Sequence, residues 1–111
     1  MEKENKLEKF LCKIAELAAA DSLKYSLALR ELAQMERENP LYADKSRAFN
    51  EIYGRLGMFS DFCDALYKYM PEYFGAVYEA HDSARDELFK KRTGRDWITF
   101  ERETDKMLYD K

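Results

Sequence analysis

The sequence predicts an all-α protein, a small bundle of three to five helices folded as a single domain over residues 1–111. Three observations predict it. Leu, Ala, Glu, Lys and Arg are frequent, while 4 Gly and 2 Pro are the only strong breakers in the chain, a composition that favours helix. Apolar residues recur once per helical turn through most of the sequence. Both prolines sit where one helix stops and another starts, at Asn39-Pro40 and Met70-Pro71. The residue before a proline avoids helical angles, and proline suits a first turn.

The first segment is a long helix over about residues 3–38. Its stripe is Leu7, Leu11, Ile14, Ala18, Tyr25, Ala28, Leu32 and Met35, interrupted by Asp21. A straight helix of that length spans about 54 Å, against a width nearer 35 Å for a compact domain with a radius of gyration of about 13 Å. Either the chain bends near Ala19–Ser22, or the overhang packs on another subunit. Ala18-Ala19-Ala20 and the lack of a capping-box Glu after Ser22 favour a continuous or merely kinked helix, and self-association through residues 3–38 follows as an expectation.

The second segment starts at Pro40 and carries Phe49, Ile52, Leu56, Phe59, Cys63, Leu66 and Met70 on one stripe. Gly54 and Gly57 weaken it. They suggest a break near Gly57, or a place where two helices approach closely. The third runs from Pro71 to about Arg92 with Phe74, Val77, Tyr78, His81, Ala84 and Leu88 inward. Lys90, Lys91 and Arg92 complement the dipole of its last turn, and Gly94 caps it. Trp97 to Tyr109 reads as a short terminal helix.

No apolar run is long enough for a membrane span, and the N-terminal residues lack the basic-then-apolar order of a secretory signal. Cys12 and Cys63 are the only cysteines. Without an export signal or a CxxC they read as free, buried thiols of a cytoplasmic protein. The net charge of −3 is unevenly spread. Residues 57–89 carry seven acids against Lys68 and Arg85, whereas residues 90–111 carry seven bases against five acids.

Catalytic constellations are missing. His81 is the single histidine, lies on an apolar stripe, and has no local partners for a nucleophile–base–acid frame. Tyr78 occupies the position where a di-iron helix needs Glu. Glu79, Asp82 and Asp86 share a helix face but show no calcium-loop spacing, so they read as a solvated acidic face. Gly54-Arg55-Leu56-Gly57 lacks the Gly-Lys-Ser/Thr of a phosphate loop. No metal and no cofactor is expected.

The acidic stretch is rich in tyrosine: Tyr67, Tyr69, Tyr73 and Tyr78. Tyrosine anchors contacts at low entropy cost, and an acidic helical face steers association with a basic surface. The sequence therefore points to a non-catalytic protein that binds, and by occlusion inhibits, a basic, nucleic-acid-handling protein partner. In size and composition alone it is similar to phage-encoded blockers of bacterial defence enzymes. The candidate contacts are Asp61, Asp64, Tyr69, Glu72, Tyr73, Glu79, Asp82 and Asp86. The alternative is a nucleic-acid-binding module using the basic knot Lys90, Lys91, Arg92 and Arg95 beside Trp97. An acidic chain with no broad basic face argues against it.

Overall fold

A computed structural model describes residues 2–109, with side chains from Lys6 onward. Four helices follow in order: α1 (Glu2–Gln34), α2 (Tyr42–Tyr69), α3 (Pro71–Thr93) and α4 (Trp97–Tyr109). No strand occurs among the described residues. The fold is the predicted all-α bundle with a long first helix.

Helix α1 is a single run of 33 residues, about 50 Å at 1.5 Å per residue, with no break at Asp21 or Ser22. Asp21 instead pairs with Arg55 of α2 at 3.3 Å. The expected overhang does not arise, because the whole bundle is elongated. It measures 56 × 26 × 19 Å with a radius of gyration of 16.4 Å, so α1 runs along the long axis rather than past a compact body.

Helix α1 ends at Gln34, earlier than the expected 38, and α2 starts at Tyr42, later than Pro40. The reason lies in Asn39. Its Oδ1 accepts the Leu41 amide at 2.9 Å, and its carbonyl accepts the Tyr42 amide at 2.9 Å. Asn39-Pro40 thus builds a turn between helices rather than capping one. Helix α2 then runs unbroken through Gly54 and Gly57. Neither glycine marks a close helix approach, since an added Cβ at either meets nothing within 4 Å.

Helix α1 is the spine. Helices α2, α3 and α4 each pack on it, α3 most extensively, while α2 and α4 do not touch. Two ion pairs, Asp21–Arg55 at 3.3 Å and Glu31–Lys45 at 3.1 Å, fix α2 antiparallel to α1. The close seam of α1 uses small side chains. Ala15, Ala19, Ser26 and Ala33 are all buried, which lets neighbouring backbones come near. Leu11, Ala15, Leu66 and Val77 form the central cluster, rimmed by Phe59, Phe62, Met70 and Tyr73. Gly94, at φ 73°, ends α3 with its amide on the Lys90 carbonyl at 3.0 Å. Asp96 then caps α4, its Oδ1 accepting the Thr99 amide at 2.7 Å.

Candidate protein-interaction face

Helix α3 positions most of the predicted acidic residues. With Val77 and Ala84 turned into the bundle, the 3.6-residue period sends Glu72, Glu79 and Asp86 to the opposite side. All three are exposed, and among the described residues neither Glu72 nor Glu79 forms an ion pair. Asp82 lies at the edge of this stripe and is engaged, with Oδ1 3.2 Å from His81 Nδ1 and 3.3 Å from an Arg85 terminal nitrogen. Asp86 stands 4.0 Å from Arg85 Nε.

A quarter-turn or more around α3 from the stripe, with Asp82 between, runs a ladder of rings. Tyr67 of α2 meets Phe74 edge-on at 5.2 Å, and Phe74 meets Tyr78 at 5.5 Å. Tyr67 and Tyr78 remain largely exposed. Asp64 precedes Tyr67 by one turn of α2 and is exposed. The face therefore combines a row of carboxylates with wet aromatic edges, the composition that suits a cationic counterpart.

The predicted residues divide. Glu72, Glu79, Asp82 and Asp86 come together on α3, with Asp64 across the ladder. Asp61 is exposed one turn before Asp64 on α2, farther around the helix from the ladder. Tyr73 is half-buried against the central cluster. Tyr69 is exposed away from the ladder, with the Lys68 ammonium 5.2 Å from its ring centre. Tyr69 ends α2 and Tyr73 lies in the first turn of α3. The tyrosines one helical turn from an acid on this side are Tyr67, after Asp64, and Tyr78, before Asp82. Their signal was present in the stretch of four tyrosines, but choosing among them required the turn at Met70.

The basic knot disperses. Lys90, Lys91 and Arg92 are consecutive, so they point about 100° apart around α3. Arg95 is held by Glu103 at 2.9 Å. Trp97 is half-buried with the Arg85 guanidinium over its ring at 3.7 Å, which leaves that ring face closed to a stacking base.

Trp97 and Arg85 line a cleft of about 400 Å³ between α2 and α4, with Ser22, Ser26 and Tyr25 on its α1 side and Glu101 and Asp105 on α4. Burial, followed by the charges of Tyr53, Glu101 and Asp105, raises the Tyr25 phenol above its ordinary value. Glu101 and Asp105 escaped notice in the sequence because they lie in the basic tail.

His81 is buried and stacks on Phe59 at 4.9 Å, and it does not line that cleft. Cys12 and Cys63 are free but half-buried rather than buried as expected; what burial they have raises both thiols, aided by Glu8 and Glu16 at Cys12 and by Asp64 at Cys63. Cys12 Sγ donates to the Ala76 carbonyl at 3.7 Å. Among the described residues no three His, Cys, Asp or Glu side chains are grouped to hold a metal ion, and no helix is long and apolar enough to cross a membrane. Comparison of the chain with protein-family models, curated proteins and solved structures finds no match.

Proposed function

We propose that this chain acts by binding rather than by catalysis, gripping a basic surface on a nucleic-acid-handling protein partner and occluding it. The single observation that carries this reading is the α3 face. There the exposed Glu72, Glu79 and Asp86 share the outer side of α3 with the Tyr67–Phe74–Tyr78 ladder, Asp82 lying between acids and rings. Exposed carboxylates steer a cationic surface inward and set register, while the rings supply rigid apolar contact at little entropy cost. Self-association through residues 3–38 belongs to the same proposal, as does action in a reducing cytoplasm where Cys12 and Cys63 stay thiols.

The test is a triple charge reversal, Glu72→Lys, Glu79→Lys and Asp86→Lys, measured on the partner captured from lysate by the immobilised wild-type chain. Exposed charge pairs are worth roughly 0.2–1 kcal/mol each. Three reversals should therefore lower affinity about ten- to a hundredfold at low salt and flatten its salt dependence. An unchanged affinity and salt slope would refute the assignment of this face.

A further inference from the structure

The opposite side of the bundle carries an apolar strip that no helix covers among the described residues. Leu7, Phe10 and Leu17 of α1 are 37%, 61% and 63% exposed, and Met58 and Tyr69 of α2 are each 73% exposed. On α1 Phe10 and Leu17, seven residues apart, stand on one line, and Leu7 lies one turn before Phe10 on its inner flank. On α2 the offset of eleven puts Met58 and Tyr69 on one line. The Asp21–Arg55 pair marks the edge where these two lines meet. Asp21 lies eleven residues beyond Phe10, on its line, and Arg55 lies one turn before Met58. The antiparallel register set by Asp21–Arg55 and Glu31–Lys45 puts Leu17 level with Met58 and Leu7 level with Tyr69. The five side chains therefore border one groove.

We infer that this groove seats a second copy of the same chain. Fully exposed side chains of this size offer on the order of 150–250 Å² each, so at the stated exposures the five present on the order of 600 Å² of largely apolar surface. A standard interface takes about 800 Å² from each partner, little more than half of it apolar. The strip supplies that apolar share by itself, and its area lies at the top of the range for the largest patch on a monomer.

Charge placement selects the occupant. Lys13 flanks the strip on the outer edge of α1 and pairs, among the described residues, with the exposed Glu16 at 3.4 Å. Asp61 is exposed on the outer edge of α2, without an ion pair among the described residues. A two-fold axis along the groove lays α1 of one copy over α2 of the other at unchanged height. Leu17 then meets the region of Met58, and each Lys13 faces an Asp61. Such an isologous match is what a self-complementary face requires. The pairing also turns both α3 acidic faces outward, so the dimer presents two of the proposed partner sites.

Light scattering on the full chain, from micromolar to sub-millimolar concentration, tests this. The expected result is the mass of two chains, falling to one on dilution. Met58→Lys alters a side chain already open to water, so its fold should survive. It and Phe10→Glu should each weaken the dimer at least about a hundredfold, because every substitution enters a two-fold interface twice, with the helical circular dichroism unchanged. Tyr78→Lys, on the far side, should leave the dimer intact. A one-chain mass at all concentrations would overturn the inference. So would a two-chain mass that survives both substitutions, or an equal loss from Tyr78→Lys. The groove rests on the self-association proposed above, but the partner assay reads α3 and the mass reads α1 and α2, so the α3 face can fail while the dimer stands, and the reverse.

Discussion

Arg30 should be the clasp that holds α4 on the bundle. Its Nε donates to Thr104 Oγ1 at 3.0 Å, a terminal nitrogen donates to the Phe100 carbonyl at 2.8 Å, and the guanidinium lies 3.4 Å from the centre of the Phe100 ring. Replacing it with Met keeps the aliphatic stem and removes the three polar contacts. Hydrogen bonds to a charged group contribute roughly 1.5–3 kcal/mol each, and a partly buried cation–π contact about 0.5–2 kcal/mol. Part of this is returned when the freed groups rehydrate. Thr104 Oγ1 also keeps its own bond to the Phe100 carbonyl at 3.0 Å, so that oxygen is not orphaned. The net expectation for Arg30→Met is a loss of about 3 kcal/mol, or roughly 10 °C or more in melting temperature for a chain of this size. Urea unfolding followed by the emission of Trp97, the only tryptophan and the first residue of α4, and by helical circular dichroism supplies the assay. In the wild type the two transitions should coincide. In the variant the Trp97 transition should move to lower urea ahead of the helical signal, because α4 alone loses its anchor. A loss below about 1 kcal/mol, the net worth of one ordinary hydrogen bond, or coincident transitions in the variant, would refute the assignment. A double-mutant cycle with Thr104→Val should give a coupling above about 0.5 kcal/mol, as contacting residues do.

Three other predictions concern the caps and thiols. The Thr99 amide and then the Thr99 hydroxyl hold the Asp96 carboxyl below its ordinary value, so its stabilising effect is present above the usual carboxylate range and lost as pH falls through the lowered value. Asp96→Ala should melt below wild type at neutral pH, and the gap should close in strong acid; a gap independent of pH would contradict this. Gly94→Ala forces a side chain into φ 73° and should cost roughly 1–2 kcal/mol from backbone strain alone, since open space surrounds that position; denaturant melts would read it. Cys12 and Cys63 should react with a disulfide reagent at pH 8 more slowly than a free model thiol, as their raised values leave less thiolate; faster reaction at either site would count against the stated causes.

Much of the fold was legible because helices announce themselves locally. The stripe over Phe74, Val77, His81 and Leu88, the proline at Pro71 and the glycine at Gly94 located α3 almost to the residue. What escaped depended on neighbours distant in sequence. Phe89 is fully buried although it lies off the predicted stripe, because α4 folds over that flank and Phe100 meets it at 5.7 Å. Ala15 and Ala19 have no exposed surface yet carry little hydrophobic signal; their value is the close approach they permit. The expected width also failed, since compactness was assumed and four helices of unequal length gave a rod. For the candidate face, charge counting found the α3 acids, but it could not choose among four tyrosines or reveal that Lys90, Lys91 and Arg92 diverge.

The unbroken spine also makes this molecule a ruler. Gln34, at the end of α1, holds Met107 Sδ through its side-chain amide at 4.0 Å. Dyes attached at Lys6 and Lys106 are thus separated by nearly the whole helix, about 40 Å along its axis. Energy transfer between them reports whether α1 stays straight at Asp21, and the same spacing means that cargo fused near one pole is held clear of cargo at the other.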